Sequence, residues 1–377
     1  MKDHKIRNEM EMEEERLLLK GLMVACVTHE SHGKTALCVG LAREFTRRGL
    51  KVGYFKPVGV PLARLGDRPV DEDAILFREV LGLEAPAWRI APILLKYRYL
   101  EAMTLLEQHK FDEAVAEAYR EISQGRDLMI SESARELSLG SSLGLSVPRL
   151  ARKLGSKVLL VSSSCEDRAV DEAISACIHL SRGQVGLLGV VFNNIPEHLT
   201  GRVKEVFGEA LSLHGVPVLG VIPESIDLTA PTVGEVAAAL GGEILCSDEA
   251  LSRRVETYMV GAMAAEAAVA HFRRAKGKAV ITSGDRPEIA LAALETDTST
   301  LILTDNIYPE ARLRAKAEEK GTPIILVSYD AYTTVQRVRE LIGRIRAGDQ
   351  HRIDLAHRLV AENVDVESIA HLLGIDI

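Results

Sequence analysis

The chain has 377 residues, 47% of them hydrophobic and 27% charged, with a formal net charge of -8. That length suggests two or three domains of about 150 residues each, long enough to bury sizeable cores. The negative balance and an aromatic content of only 4% argue against nucleic acid or an anionic membrane as the main partner.

Residues 1–18, beginning MKDHKIRNEMEMEEER, read as a charged N-terminal extension without a signal peptide's apolar core. Residues 19–29 (LKGLMVACVTH) hold an apolar run of strand length. From Lys34 the spacing predicts a helix with Leu37, Leu41 and Phe45 on one face, stopped at Gly49. KVGYFKPVGV predicts the next strand. Strand, loop, helix, strand is a βαβ unit, so the expected architecture is α/β, a parallel sheet with flanking helices. Helical spacing recurs at 71–82, 100–124, 146–155, 168–182 and 198–214, with strands at 127–131, 157–164, in GLLGVVFNNIP, and at 216–225. The apolar runs are continuous rather than alternating, as in strands buried on both faces. Beyond 226 the elements become smaller and richer in alanine. Strands are predicted at 278–282, 300–304 and 323–328, and helices at 232–240, 259–274, 287–293, 309–320 and 331–347. The domains expected are therefore 19–225, a smaller α/β domain at 226–340, and a helical C-terminal tail at 341–377. No stretch reaches the roughly 18 apolar residues of a membrane span. The five cysteines, odd in number and without a C-x-x-C pair, read as buried small hydrophobes in a reducing, cytoplasmic setting.

Residues 27–35 read V-T-H-E-S-H-G-K-T. A P-loop turns consecutive backbone N–H groups inward at a helix N-terminus, sends a lysine to the phosphates and uses a Ser/Thr hydroxyl on magnesium. Gly33, Lys34 and Thr35 supply the end of that device between a strand and a helix, while Thr28 stands where the first glycine is usual. An ordinary turn with a chance G-K-T is the plainer alternative. Magnesium needs carboxylates. Glu132 lies just past a strand's carboxyl end, the edge where open α/β sheets bind ligands. Asp73, in D-E-D-A, suits either a metal or an acidic helix start. Lys56, in F-K-P, either points from the same edge or is a solvated lysine before a loop proline. His29 and His32, three apart around Glu30, make a poor zinc frame without a third ligand.

Together VTHESHGKT, GLKVGYFKPVG, DEDA, SES, GVVFNN and GVIPES resemble the dethiobiotin synthetases, ATP-dependent carboxylases of the P-loop superfamily, over roughly residues 19–225. Within that group a threonine at the place of Thr28 is expected. The resemblance implies a P-loop NTPase-type sheet, with Thr28, His32, Gly33, Lys34 and Thr35 around the phosphates of ATP. It implies Thr35, Asp73 and Glu132 at Mg2+, and Lys34 and Lys56 as catalytic lysines, Lys56 near the substrate carbamate. It also implies Asn193 at the adenine base, with Pro223 in the turn near it. The chain departs from the family in S-A-R-E after Glu132, in the loop GVPLARLG after Lys56-Pro57, and in His29. Nucleotide binding therefore carries over better than the diamine substrate.

The second part resembles a DRTGG domain through V-G-A-M at 260–263, G-D-R at 284–286 and the strand T-S-T-L-I-L-T. A dethiobiotin-synthetase-like domain followed by DRTGG is the amino-terminal arrangement of long phosphate acetyltransferases, and the sequence looks like that arrangement without the acetyltransferase domain. DRTGG modules accompany adenine-nucleotide sensing, so Gly284, Asp285 and Arg286 become candidate ligand contacts; alternatively Asp285 caps the next helix. The resemblance implies a regulatory protein of central or acetyl-CoA-linked metabolism that binds ATP and Mg2+, takes a small effector at the DRTGG domain and forms a homodimer. The alternatives are an ATP-dependent ligase, with Lys34, Lys56 and Mg2+ stabilising charge on a transferred phosphoryl group, and a nucleotide-free assembly scaffold.

Overall fold

A computed structural model of the protein describes residues 19–27, 33–95, 99–102, 108–339, 341 and 343–376. Thr28, His29 and His32 lie outside the described residues. The chain divides into two compact units, Met1–Glu224 with Ile345–Ile377, and Ser225–Arg344.

The first unit begins with β1 (Lys20–Cys26), α1 (Lys34–Arg47) and β2 (Val52–Phe55). Leu37, Leu41 and Phe45 are all buried on the inner face of α1. The helix stops because Gly49 takes φ +95, a left-handed conformation that favours glycine. A small excursion follows: β3 (Val58–Gly59), the hairpin β4 (Ala63–Leu65) and β5 (Arg68–Val70), α2 (Glu72–Val80) and β6 (Ile93–Leu94). The chain then runs through α3 (Gln108–Ser123), β7 (Leu128–Glu132), α4 (Val147–Lys153), β8 (Ser156–Ser162), α5 (Arg168–Arg182), β9 (Leu187–Ile195) and β10 (Val218–Pro223). The main sheet has the order β10-β9-β8-β1-β7-β2, and every pairing is parallel. Its strands are buried almost throughout, which is why they read as unbroken apolar runs. From β1 the chain turns to one side for β2 and β7 and to the other for β8, β9 and β10. The carboxyl end of β1 is therefore a topological switch point, where such sheets open a crevice for ligands.

The second unit contains α6 (Val233–Leu240), β11 (Glu243–Cys246), β12 (Thr257–Val260), α7 (Ala265–Phe272), β13 (Lys278–Ser283), α8 (Pro287–Leu294), β14 (Thr298–Thr304), α9 (Ala311–Lys320), β15 (Ile324–Leu326) and α10 (Ala331–Arg339). Its sheet has the order β11-β15-β14-β13-β12, parallel except for the edge strand β11. Thr232 and Glu235 form a capping box at α6. Three elements differ from the reading of the sequence. The helix expected at 331–347 spans only Ala331–Arg339, and residues 343–347 are turn or irregular. The helix expected at 259–274 starts only at Ala265, because Thr257–Val260 pairs with β13. The strand β11 falls where none was expected.

After the second unit the chain returns to the first as α11 (Gln350–Asn363) and α12 (Val366–Leu373). α11 lies along α1 so closely that a Cβ on Gly40 would fall 2.3 Å from Val360 Cγ2 and 2.8 Å from the Ala356 carbonyl. Beside it the buried carboxylate of Glu44 accepts from Arg47 and Arg48 and meets His357 Nε2 at 2.9 Å.

Candidate functional site

The carboxyl ends of β1, β7 and β2 carry a polar cluster at the edge of an otherwise apolar sheet. Gly33, with φ +94, leads into α1. Lys34 begins that helix, and its Nζ donates to Cys26 Sγ at 3.2 Å and to the Arg135 carbonyl at 3.4 Å. It thus spans from the end of β1 to the loop after β7. One residue on, Thr35 Oγ1 donates to Glu132 Oε1 at 3.0 Å. The other oxygen of Glu132 accepts from the Tyr54 hydroxyl at 2.8 Å, and the Tyr54 ring stacks on Phe77 of α2. Glu132 is 2% exposed, so both of its oxygens need these partners.

Lys56 follows β2 and is held at both ends. Its N–H donates to the Ile90 carbonyl, and its ammonium pairs with Asp71 Oδ2 at 3.1 Å and with Asp73 Oδ2. Asp71 is the N-cap of α2: it accepts from the N–H of Asp73 at 2.9 Å and from the N–H of Val60 at 2.7 Å. Capping therefore falls to Asp71, and the Asp73 carboxylate faces Lys56.

The electrostatics follow from this crowding. Burial pushes the Glu132 carboxyl above its ordinary range, the Asp73 charge adds to that, and Lys56, Lys34 and the Tyr54 hydroxyl only partly oppose it. Asp71 is raised as well, by burial first, against the pull of Lys56. Burial alone would lower the Lys56 ammonium, but Asp73, Asp71 and Glu132 together outweigh it and hold the group above a lysine's usual value. Burial also raises the Cys26 thiol against the nearby Lys34, so the Lys34 contact is ammonium to thiol rather than to thiolate. Among the described residues three carboxyl groups thus share the edge with two ammonium groups.

Of the residues singled out in the sequence, the structure joins Lys34, Thr35 and Glu132 in one group and Lys56 and Asp73 in its neighbour. Asn193, near the end of β9, lies over the start of α1: a Cβ on Gly33 would meet its Nδ2 at 1.9 Å. Pro223 ends the edge strand β10, paired with Ile195. Asp71 and Tyr54 were not picked out beforehand. A cap and an ion pair leave the same acidic signature at a helix start; Tyr54 sits two residues before Lys56 on an extended segment, the only hint available.

In the second unit, G-D-R and V-G-A-M meet at the carboxyl ends of neighbouring strands. The Arg286 guanidinium donates to the carbonyls of Gly261 at 2.8 Å and Met263 at 2.9 Å. A Cβ on Gly284 would fall 1.8 Å from the Ile307 carbonyl, so the loop after β14 closes directly over it. Asp285 is exposed, and the N-cap of α8 is Arg286 without a side-chain cap, so Asp285 does not cap that helix.

Comparison with known proteins matches the AAA domain to residues 20–232 and the DRTGG domain to residues 235–341. Among curated relatives, the phosphate acetyltransferase of Nitrosomonas europaea is 27% identical over 91% of this chain and 50% of its own length. That of Pseudomonas putida is 28% identical over 88% of this chain and 49% of its own. The chain thus spans about half the length of the curated relatives it matches. Among solved structures, the MinC:MinD cell division complex of Aquifex aeolicus is 18% identical and covers 55% of this chain and 83% of its own, with a TM-score of 0.35. The CBS and DRTGG domains of the Clostridium perfringens pyrophosphatase regulatory region, complexed with the activator diadenosine tetraphosphate, are 15% identical and cover 40% of this chain and 72% of their own, with a TM-score of 0.25. Both superpose too loosely to carry a site residue across. The matched profiles cover more than half of the sequence with one family and most of the second unit with another: the chain belongs to the AAA-domain family of P-loop type and carries a DRTGG domain behind it.

Proposed function

We propose that the first unit binds ATP with Mg2+ at the carboxyl ends of β1 and β7, that the DRTGG unit takes a small adenine-nucleotide effector, and that the chain is regulatory. The carrying observation is the hydrogen bond of Thr35 to Glu132 beside Lys34, all at the N-terminus of a 14-residue helix. That is the placement in which a hydroxyl and a carboxylate share a magnesium ion while a lysine and helix N–H groups meet phosphate. Among the described residues no three acidic, imidazole or thiol groups converge on one point. Magnesium needs no such cage: it keeps its waters and phosphate oxygens and takes one or two carboxylates. The carboxyl groups gathered here fit a cation, held by Thr35, Glu132 and Asp73. Bound there, it would neutralise the phosphate charge. The link to acetyl-CoA metabolism rests on the relatives being phosphate acetyltransferases.

The enclosure of Lys56 by Asp71 and Asp73 favours this reading over the ligase. Its ammonium serves as counter-charge to the acids instead of standing free for a second substrate. Thermal unfolding of the full chain with ATP-Mg, ADP-Mg and AMP tests the reading. ATP-Mg at a hundred times its Kd should add about 2.7 kcal/mol, and Lys34→Ala should remove that gain. No shift with any of the three sinks the reading, whereas phosphate release by the purified chain alone would favour the ligase or an ATPase.

A further inference from the structure

Strand β9 is irregular at its carboxyl end. Phe192 pairs with Val221 and Ile195 with Pro223, so Asn193 and Asn194 together stand opposite the single residue Ile222. That is a β-bulge, uncommon between parallel strands and a device for re-aiming a side chain. Asn194 takes φ +60, a left-handed conformation uncommon outside glycine, and is exposed. Asn193 is buried instead, with 6% exposure. Its neighbours fix the strand around it: the Phe192 ring packs edge-on against Phe207, and the Ile195 carbonyl accepts from the Glu224 N–H at 2.9 Å. The Asn193 amide is aimed at Gly33. The three heavy atoms nearest to the place of a Cβ on Gly33 all belong to it: Nδ2 at 1.9 Å, Cγ at 3.0 Å and Oδ1 at 3.7 Å. The amide nitrogen thus fills the space that a side chain at 33 would need. Gly33 is the N-cap of α1, with φ 94 and ψ 12. Its carbonyl accepts from the Leu37 N–H at 3.0 Å and closes the first turn. The direction of the first N–H groups of α1, which have no partner within a helix, follows from the torsion angles of this one residue. Glycine is the residue least able to hold them unaided.

We propose that Asn193 is a positioning residue for the phosphate loop: from the bulged end of β9 its amide backs Gly33 and holds the turn that aims the N–H groups of α1 at phosphate. This role differs from a contact with the adenine base. It rests on the nucleotide reading above for its ligand, while the hold on Gly33 can be tested without one. Because the hold acts at the phosphate end, its loss weakens every polyphosphate alike, with or without a base attached.

The test compares ATP-Mg, GTP-Mg and inorganic tripolyphosphate-Mg by calorimetry on the full chain. Asn193→Ala should weaken all of them by a similar factor, about tenfold, the equivalent of one well-placed contact. A loss confined to ATP, with tripolyphosphate unchanged, makes Asn193 a reader of the base and overturns the proposal. Unchanged affinity throughout overturns it too. Asn193→Thr, shorter and suited to a strand, takes the place of alanine should that variant unfold the end of β9. A double-mutant cycle with Gly33→Ala examines the contact itself. The added methyl group meets the Asn193 amide only when that amide is present, so Gly33→Ala should cost much less binding in the Asn193→Ala background. Additive losses overturn the proposal. Amide exchange without ligand separates this role from the nucleotide reading. The Leu37 N–H should exchange about fivefold faster in Asn193→Ala, and an unchanged rate overturns the hold on Gly33. If the wild-type chain binds none of these ligands, the nucleotide reading falls and the exchange comparison still decides the hold.

Discussion

Replacing Asp71 by alanine removes three things at once, and each has a size. The cap bond to the Asp73 N–H is worth about 1 kcal/mol. The Val60 N–H loses its acceptor at 2.7 Å, at a cost of about 1 kcal/mol or more for a partly buried donor. Lys56 loses one of its two carboxylates but keeps Asp73, so the ion-pair cost stays below the 3–5 kcal/mol of a fully broken buried pair, at about 2 kcal/mol. The expected total is about 4 kcal/mol of first-unit stability. Asparagine keeps one oxygen for the cap bond but turns its NH2 toward the Val60 N–H and lacks the charge, so it should restore only the cap, about 1 kcal/mol of the loss. The chain has one tryptophan, Trp88, and it lies in the first unit under the Arg68 guanidinium. Its fluorescence in urea follows the unfolding of that unit. With an m-value of about 2–3 kcal/mol/M, the alanine midpoint should fall by about 1.5 M. A cost under about 1 kcal/mol for alanine, or equal costs for the two variants, would refute the claim that Asp71 joins cap and ion pair.

Glu132→Gln keeps one acceptor oxygen and turns its NH2 toward the other hydroxyl, which can rotate to accept, so the fold should stay close to intact; it should abolish the Mg2+ dependence of ATP binding in calorimetry, and an unchanged Mg2+ requirement removes Glu132 from the metal. Gly40→Val should cost about 1–3 kcal/mol by overpacking, because the nearest obstacles include the Ala356 carbonyl, which cannot rotate away; wild-type stability on the Trp88 signal would contradict the close α1–α11 approach. The Arg47 guanidinium, helped by His357 and Arg48 and opposed by burial, holds the Glu44 carboxyl far below the usual carboxylate range. A depressed folded pKa stabilises above the unfolded value and loses that contribution as pH falls below it. Acid titration of stability from pH 5 downward should therefore be shallower in Glu44→Gln than in wild type, and identical slopes would show that the Glu44 network contributes nothing.

Most of the sheet was readable because strands buried on both faces announce themselves as continuous apolar runs, and β1, β7, β8, β9 and β14 do so. The failures share a cause. β11 is a short antiparallel edge strand, half exposed, whose existence depends on pairing with β15, 80 residues away in sequence. Thr257–Val260 precedes an alanine-rich stretch, and local helix propensity extended that helix backward over a segment that tertiary pairing makes a strand. At the site, Lys34 and Thr35 were legible as the start of the helix after β1, and Glu132 as the carboxyl end of β7. Asp71 was not, since the geometry that sets it apart from its acidic neighbours is a contact with Lys56, 15 residues earlier. Nor could any local pattern show that α11 would lie along α1, a pairing that links residues more than 300 positions apart.

That pairing has a consequence for how the protein is made. The covering helix is encoded behind the whole of Ser225–Arg344, so a ribosome must emit roughly 120 further residues before it can supply α11. At about 5–20 residues per second this delay lasts on the order of 6–24 s. Throughout it the outer face of α1, including the Gly40 cleft and the carboxylate of Glu44, stands uncovered while the second unit is free to fold. The nascent first unit is therefore an open-sided intermediate, and a transient binder of that bare helix face could delay its completion until the last two helices emerge.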